Sequence, residues 1–179
     1  MLVWWMGAVA FFLVAVVVVL FNDLVAARNQ MRAAWSDIDV QLTRRHDLVP
    51  QLVAAVQGYA GHERSTLVLL TELRARAMAA ARLGDKAALE DELAQQVERI
   101  LALQEQYPDL KSSDNFLALQ RDLVSIEDHL QYARRFYNGA VRDLNNRIET
   151  FPSLLVARVA RFRPAEFYRH GDDAQGVPA

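Results

Sequence analysis

FLALQRDLVSIEDHLQYARRFYNGAVRDLNNRIETF, residues 116–151, reads as one long helix. Its apolar positions Phe116, Leu119, Leu123, Ile126, Leu130, Ala133, Tyr137, Val141, Leu144, Ile148 and Phe151 advance by threes and fours, the spacing of a seam along which helices interlock. A helix of this length, about 50 Å at 1.5 Å per residue, cannot bury such a stripe alone. The rest of the chain must supply partner helices.

Upstream, Leu89, Leu93, Val97, Ile100 and Leu103 place a third helix on the same kind of spacing. Pro108 in Tyr107-Pro108-Asp109-Leu110 stops it, and a polar loop is expected through Asn115. Leu83-Gly84-Asp85 marks its start: Gly84 suits the left-handed residue past a helix end, and Asp85 can cap the next helix. A second helix is expected over 63–82, burying Leu67, Leu70, Leu73 and Ala77. Before the interruption at Gly58 and Gly61, the residues Trp35, Ile38, Leu42, Val49, Val53, Val56 and Tyr59 stripe a first helix that begins near Ala26. Pro50 lies inside it, and an internal proline loses one backbone hydrogen bond and crowds the carbonyl four residues earlier. A kink near His46 to Pro50 is expected, because the stripe continues beyond it.

Residues 2–21 carry no charge, and 13 of them are Leu, Val or Phe. About 20 helical residues cross the hydrocarbon core of a bilayer, and these side chains favour insertion by about 4–8 kcal/mol. Trp4 and Trp5 suit the headgroup interface. A cleaved signal peptide would need a basic start and a small-residue cleavage site; no Lys or Arg precedes the run, and Val25-Ala26-Ala27 is a weak site. Arg28 and Arg32, then Arg44 and Arg45, follow the span, so the positive-inside rule places the N-terminus outside and the bundle in the cytoplasm. The predicted fold is all-α: an N-terminal transmembrane helix over 1–22, then an antiparallel up-down four-helix bundle over 23–151 with two long and two shorter helices.

In such a bundle the fourth helix returns toward the bilayer, which brings residues 152–169 near it. That stretch mixes Leu154, Leu155, Val156, Val159 and Phe162 with Arg158, Arg161 and Arg163. Two readings stand. The three arginines contact an anionic membrane surface, at about 1 kcal/mol per basic residue, or the apolar side chains turn back onto the uncovered membrane-proximal half of the bundle. Residues 170–179 are expected to be disordered.

Chemistry-bearing patterns are absent from the chain. There is no cysteine, no Glu-x-x-His as in di-iron bundles, no His pair four apart, no glycine-rich phosphate loop and no Gly-x-Ser-x-Gly. Twenty basic against 22 acidic side chains, a net −2, supply no field for nucleic acid. No cofactor, metal, nucleic acid or small-molecule substrate is therefore expected. The charges at Asp37, Asp39, Arg44, Arg45 and Asp47 read as intrahelical pairs of a few tenths of a kcal/mol. Near the long seam lie Arg134, Arg135, Asn138, Asn145 and Arg147; Asn138 and Asn145 are read as register-setting polar residues.

Taken together, Arg28-Asn29, Ala34-Trp35, Ile38-Asp39-Val40-Gln41-Leu42, Arg44-Arg45, Asp47-Leu48-Val49-Pro50, Gly58-Tyr59-Ala60 and His62-Glu63 resemble the LemA family of bacterial membrane proteins. Tyr107-Pro108-Asp109-Leu110-Lys111, Asn115-Phe116, Ala133-Arg134-Arg135-Phe136-Tyr137-Asn138, Asn145, Arg147-Ile148 and Phe151-Pro152-Ser153 extend the resemblance to about Tyr168. It implies an anchored antiparallel four-helix bundle in the bacterial inner membrane, with no established catalytic site to carry over. It also implies an adaptor or assembly role, since members are often encoded near other membrane proteins. The expected function is a membrane-anchored, non-enzymatic scaffold that associates with itself or with another membrane protein. The alternative is an envelope sensor that binds anionic lipid through its basic C-terminal segment.

Overall fold

The computed structural model describes residues 1–59 and 64–169, the side chain of Leu2 excepted. The His62-Glu63 pair, Gly61 and the tail from His170 lie outside the described residues. Among those described, the secondary structure is six α-helices with one short 3₁₀ turn and no strand. The helices are α1 (Leu2–Gln57), α2 (Arg64–Ala79), α3 (Leu83–Ala102), α4 (Pro108–Lys111), α5 (Asp114–Glu149) and α6 (Ser153–Val159), and the 3₁₀ turn is Leu103–Glu105.

The span and the expected first helix are one continuous element, because nothing at Asn22-Asp23 breaks the backbone ladder. Its apolar run is open to the surroundings, with Trp4 84% and Phe11 77% exposed. A soluble core helix of this composition would be covered; this one is long and apolar enough to cross a membrane.

Contacts divide the chain into two compact units, Met1–Ser36 with Arg135–Phe167, and Asp37–Arg134 with Tyr168–Ala179. In the second unit, four helical segments line one core: Val49, Leu52 and Val56 of α1, Leu67, Leu70 and Leu73 of α2, Leu93, Val97 and Ile100 of α3, and Phe116 and Leu123 of α5. The α2 side chains buried are Leu67, Leu70, Leu73 and Ala77, as their spacing predicts. The polar loop expected before Asn115 is instead partly helical. Pro108 opens α4 in its first turn, where a missing N–H costs nothing, and Leu110 drops fully into the core.

The expected break at Leu83-Gly84-Asp85 falls three residues earlier. Arg82 is the N-cap of α3, and Gly84 and Asp85 sit inside its first turn, where an acidic side chain favours the positive helix end. α1 runs through Pro50 to Gln57, the continuation its apolar stripe predicts, with the ring exposed. The His46 carbonyl, which an N–H at position 50 would have satisfied, accepts instead from Arg74 Nε at 2.6 Å. A side chain from α2 thus replaces the bond that proline removed.

In the first unit, Leu24 and Ala27 of α1, Leu144 and Ile148 of α5 and Ala157 of α6 form a second core, against which Val156, Phe162 and Ala165 pack. Trp35 meets Tyr137 edge to face at 5.6 Å. Ser153 Oγ donates toward the Arg147 carbonyl at 2.6 Å and the Thr150 carbonyl at 2.9 Å, partners for the end of α5. Arg147 pairs with Asp23 and, at 3.0 Å, with Asp143.

The end of α6 is closed by two bonds, Phe162 N–H to the Ala157 carbonyl at 2.9 Å and Arg161 N–H to the Arg158 carbonyl at 3.2 Å. This is the pairing that accompanies a left-handed residue past a helix end. The left-handed residue is Arg161, with φ 56°. A β-carbon is disfavoured there, so Arg161→Gly is expected to stabilise the fold by about 0.5–1 kcal/mol. A raised thermal midpoint and slower amide exchange at Phe162 would register it.

Candidate functional site

The second unit contains a group of ionic side chains inside its core. Glu90 of α3 is 0% exposed, and Arg45, His46, Asp91 and Arg134 are all buried. Arg45 Nη1 lies 3.5 Å from Glu90 Oε2 and donates to the Glu90 carbonyl at 3.4 Å, while its Nη2 bonds the Glu127 carboxylate. His46 Nε2 stands 2.7 Å from Glu90 Oε1. Arg134 lies 3.8 Å from Asp91 Oδ1 and 3.7 Å from Glu127 Oε1. Glu127 therefore bridges two guanidiniums, one from α1 and one on its own helix.

The bland reading of Arg45 as an intrahelical pair is corrected by these contacts: it reaches α3 and α5. Sequence spacing held the signal. Arg45 falls between Ile38, Leu42, Val49, Leu52 and Val56 in steps of four and three, and Glu90 falls between Ala87 and Leu93, so both occupy seam positions. A lone charge at a seam is costly, and complementary charges on facing seams offset each other. Each carboxylate of the group has an arginine partner, so the arrangement fixes helix against helix. Among the described residues, no group of three or more His, Asp or Glu converges as metal ligands would.

Arg134 also stands over the Tyr168 ring, 5.0 Å from its centroid, and Tyr168 is itself buried. Burial raises the Tyr168 phenol from 10.0 to about 12; Arg134 opposes that rise, and Asp91 and Glu90 add to it. The folded chain thus keeps this proton while the unfolded chain releases it. Stability is fully present below about pH 10 and declines as pH rises toward 12. Tyr168→Phe should remove that component, flattening the thermal midpoint over this alkaline range by the equivalent of roughly 1–2 kcal/mol.

The first unit carries a different feature. Val17, Val18 and Phe21 of α1 and Leu155, Val156, Val159 and Ala160 around α6 line an apolar groove of about 580 Å³. Phe162 flanks it, meeting Phe21 edge to face at 6.2 Å and lying 4.9 Å beneath the Arg28 guanidinium. Leu155 is 56% and Val159 87% exposed. The sequence-predicted arginines Arg158, Arg161 and Arg163 are all exposed on this segment. Within residues 152–169, Ala157, Val156 and Phe162 pack on the first unit's core, while Leu155, Val159 and the three arginines are exposed.

Of the two asparagines, Asn145 is engaged by the C-terminal segment. Its Nδ2 donates to the Ala165 carbonyl at 3.0 Å, and its Oδ1 accepts from the Ala165 N–H at 2.8 Å. The Tyr137 hydroxyl donates to the Glu166 carbonyl at 3.0 Å, and burial, then Glu166, raises its pKa above the ordinary phenol value. These bonds strap residues 165–166 along α5. Asn138 is half-buried on the same helix.

The model of the LemA family matches residues 34–179. Protein LemA of Metamycoplasma hominis is 29% identical over 158 residues, 83% of this chain and 71% of that protein. Magnetosome protein MamQ 1 of Paramagnetospirillum magneticum is 24% identical over 190 residues, 92% of this chain and 69% of its own. Magnetosome protein MamQ of Magnetospirillum gryphiswaldense is 22% identical over 184 residues, 88% and 67% of the two chains.

Proposed function

This chain belongs to the LemA family, and from that premise we propose that it is a membrane-anchored, non-enzymatic scaffold that works by association with itself or with another membrane protein. The carrying observation is apolar surface on outer helix faces of the second unit. Val68 and Leu69 of α2 and Val124 and Tyr132 of α5 are exposed, and a groove of about 740 Å³ between α1 and α2 is lined by Val53, Leu67, Val68 and Ala75 together with Gln57, Arg64, Thr71 and Glu72. Apolar side chains held outward on helices with an ionically clamped core suit docking of another helical surface. The basic residues Arg28 and Arg32 after the span support an inner-membrane protein with its N-terminus outside and its helical units in the cytoplasm.

Arg121 is exposed on α5, one turn from Val124. Arg121→Cys in the full chain, crosslinked in native membranes and analysed by mass spectrometry, is expected to give discrete bands. Bands of this chain alone would mean self-assembly, and a reproducible second protein would mean an adaptor. A strictly monomeric, partnerless chain would overturn the proposal. Labelling of the same cysteine by a membrane-impermeant maleimide only after the cells are opened is the expected result for the cytoplasmic placement.

A further inference from the structure

We propose that the groove between the end of the span and α6 is a binding site for one anionic glycerophospholipid of the host bilayer, its acyl chain along the groove and its phosphate among Arg158, Arg161 and Arg163. The inference rests on residues 2–21 crossing the membrane and is independent of the scaffold role.

Three observations carry it. First, the lining of Val17, Val18, Phe21, Leu155, Val156 and Val159 is hydrocarbon, and a groove of about 580 Å³ lies within the range of small-ligand sites. Second, the α1 half of that lining is the last turn of the apolar run. Val17 to Phe21 rises about 6 Å at 1.5 Å per residue and forms the end of the uncharged run, where a crossing helix leaves the hydrocarbon. With residues 2–21 in the bilayer, the groove is placed where acyl chains can enter it. Third, the charge is complementary: Arg158, Arg161 and Arg163 are exposed on the segment that forms the other wall. The nearby carboxylate Asp23 is paired with Arg147, and Glu166, though exposed, lies on the strapped stretch beyond Arg163.

The packing explains why the site holds its shape. Ala157 and Val156 sit on the first unit's core, and the pair of backbone hydrogen bonds closing α6 fixes the direction in which the chain leaves it. Arg161 thus stands at a backbone position set by its left-handed φ of 56°. A guanidinium in that place accepts a conformational penalty that glycine would avoid, and phosphate coordination gives a reason for arginine there.

The test is electron paramagnetic resonance on the full-length chain reconstituted in phosphatidylcholine vesicles containing acyl-spin-labelled phosphatidylglycerol or acyl-spin-labelled phosphatidylcholine. A motionally restricted component selective for phosphatidylglycerol is expected. Selectivity should fall about five-fold for each of Arg158→Gln, Arg161→Gln and Arg163→Gln, and high salt should lower it as well. Arg161→Gly serves as the variant that keeps the fold, since it relaxes the backbone while removing the charge. Val159→Trp should displace the restricted lipid of either headgroup by filling the groove. Equal restriction of both lipids, or unchanged selectivity in the triple arginine variant, overturns the proposal. So does crosslinking of Val159→Cys to a second copy of the chain or another protein in place of lipid. These outcomes are read at the first unit, so they are separate from the crosslinking at Arg121.

Discussion

Glu90→Ala is expected to cost the folded chain about 3–5 kcal/mol, the range for removing one partner of a buried ion pair. The substitution leaves the buried Arg45 guanidinium with the backbone carbonyl of position 90 at 3.4 Å and with Glu127, whose side chain is 36% exposed, and leaves His46 without its carboxylate at 2.7 Å. Glu90→Gln should cost less, since it keeps an acceptor for His46. The informative companion is Arg45→Met with Glu90→Leu, which removes both charges and fills the space. That pair should recover most of the loss, because desolvation of the ions disappears together with their attraction. Denaturant unfolding of the full chain in detergent, followed by circular dichroism, measures all three. A loss below about 1 kcal/mol for Glu90→Ala would mean that the group is hydrated and does not clamp the helices.

The second large effect concerns Arg74. Arg74→Ala should destabilise the chain by about 2–3 kcal/mol, since it removes a charge-assisted hydrogen bond and strands a carbonyl with no helical donor. Pro50→Ala should erase most of that cost. Alanine restores an N–H at position 50, four residues from the His46 carbonyl that Arg74 now satisfies at 2.6 Å, and the proline ring is exposed, so no cavity opens. The double-mutant cycle should therefore show a coupling of about 1.5–2.5 kcal/mol. Additive losses would show that the Arg74 contact does not compensate for the proline.

Both predictions concern contacts whose partners single-helix periodicity does not reveal: spacing puts Arg45 and Glu90 on seams without saying that they meet. The N-terminal helix long and apolar enough to cross a membrane, the α5 seam and the buried set of α2 were legible because each depends on one property of a local stretch, an uncharged length or the direction in which every third or fourth side chain points. The seam ends at Ile148, and Phe151, expected on it, is 74% exposed. Membership of the LemA family was legible through a different signal, motif residues such as Asp47-Leu48-Val49-Pro50 and Ala133-Arg134-Arg135-Phe136-Tyr137-Asn138. The candidate basic residues Arg158, Arg161 and Arg163 were legible for a similar reason, as charges interleaved with apolar side chains on one short segment.

Tertiary packing decided what each polar residue meets. Arg45 looked like a member of a local charge run and crosses to Glu90 and Glu127; Asn145 looked like a seam residue and holds the backbone of Ala165. Pro50 predicted a kink in a helix that continues, and only the structure shows that an arginine 24 positions later takes up the carbonyl the proline leaves. The reason is physical. Apolar burial is non-directional and roughly additive along a face, so spacing announces it. An ion pair or a side-chain hydrogen bond has its energy in a distance of a few ångströms between groups remote in the chain, and that distance exists only once the helices have packed.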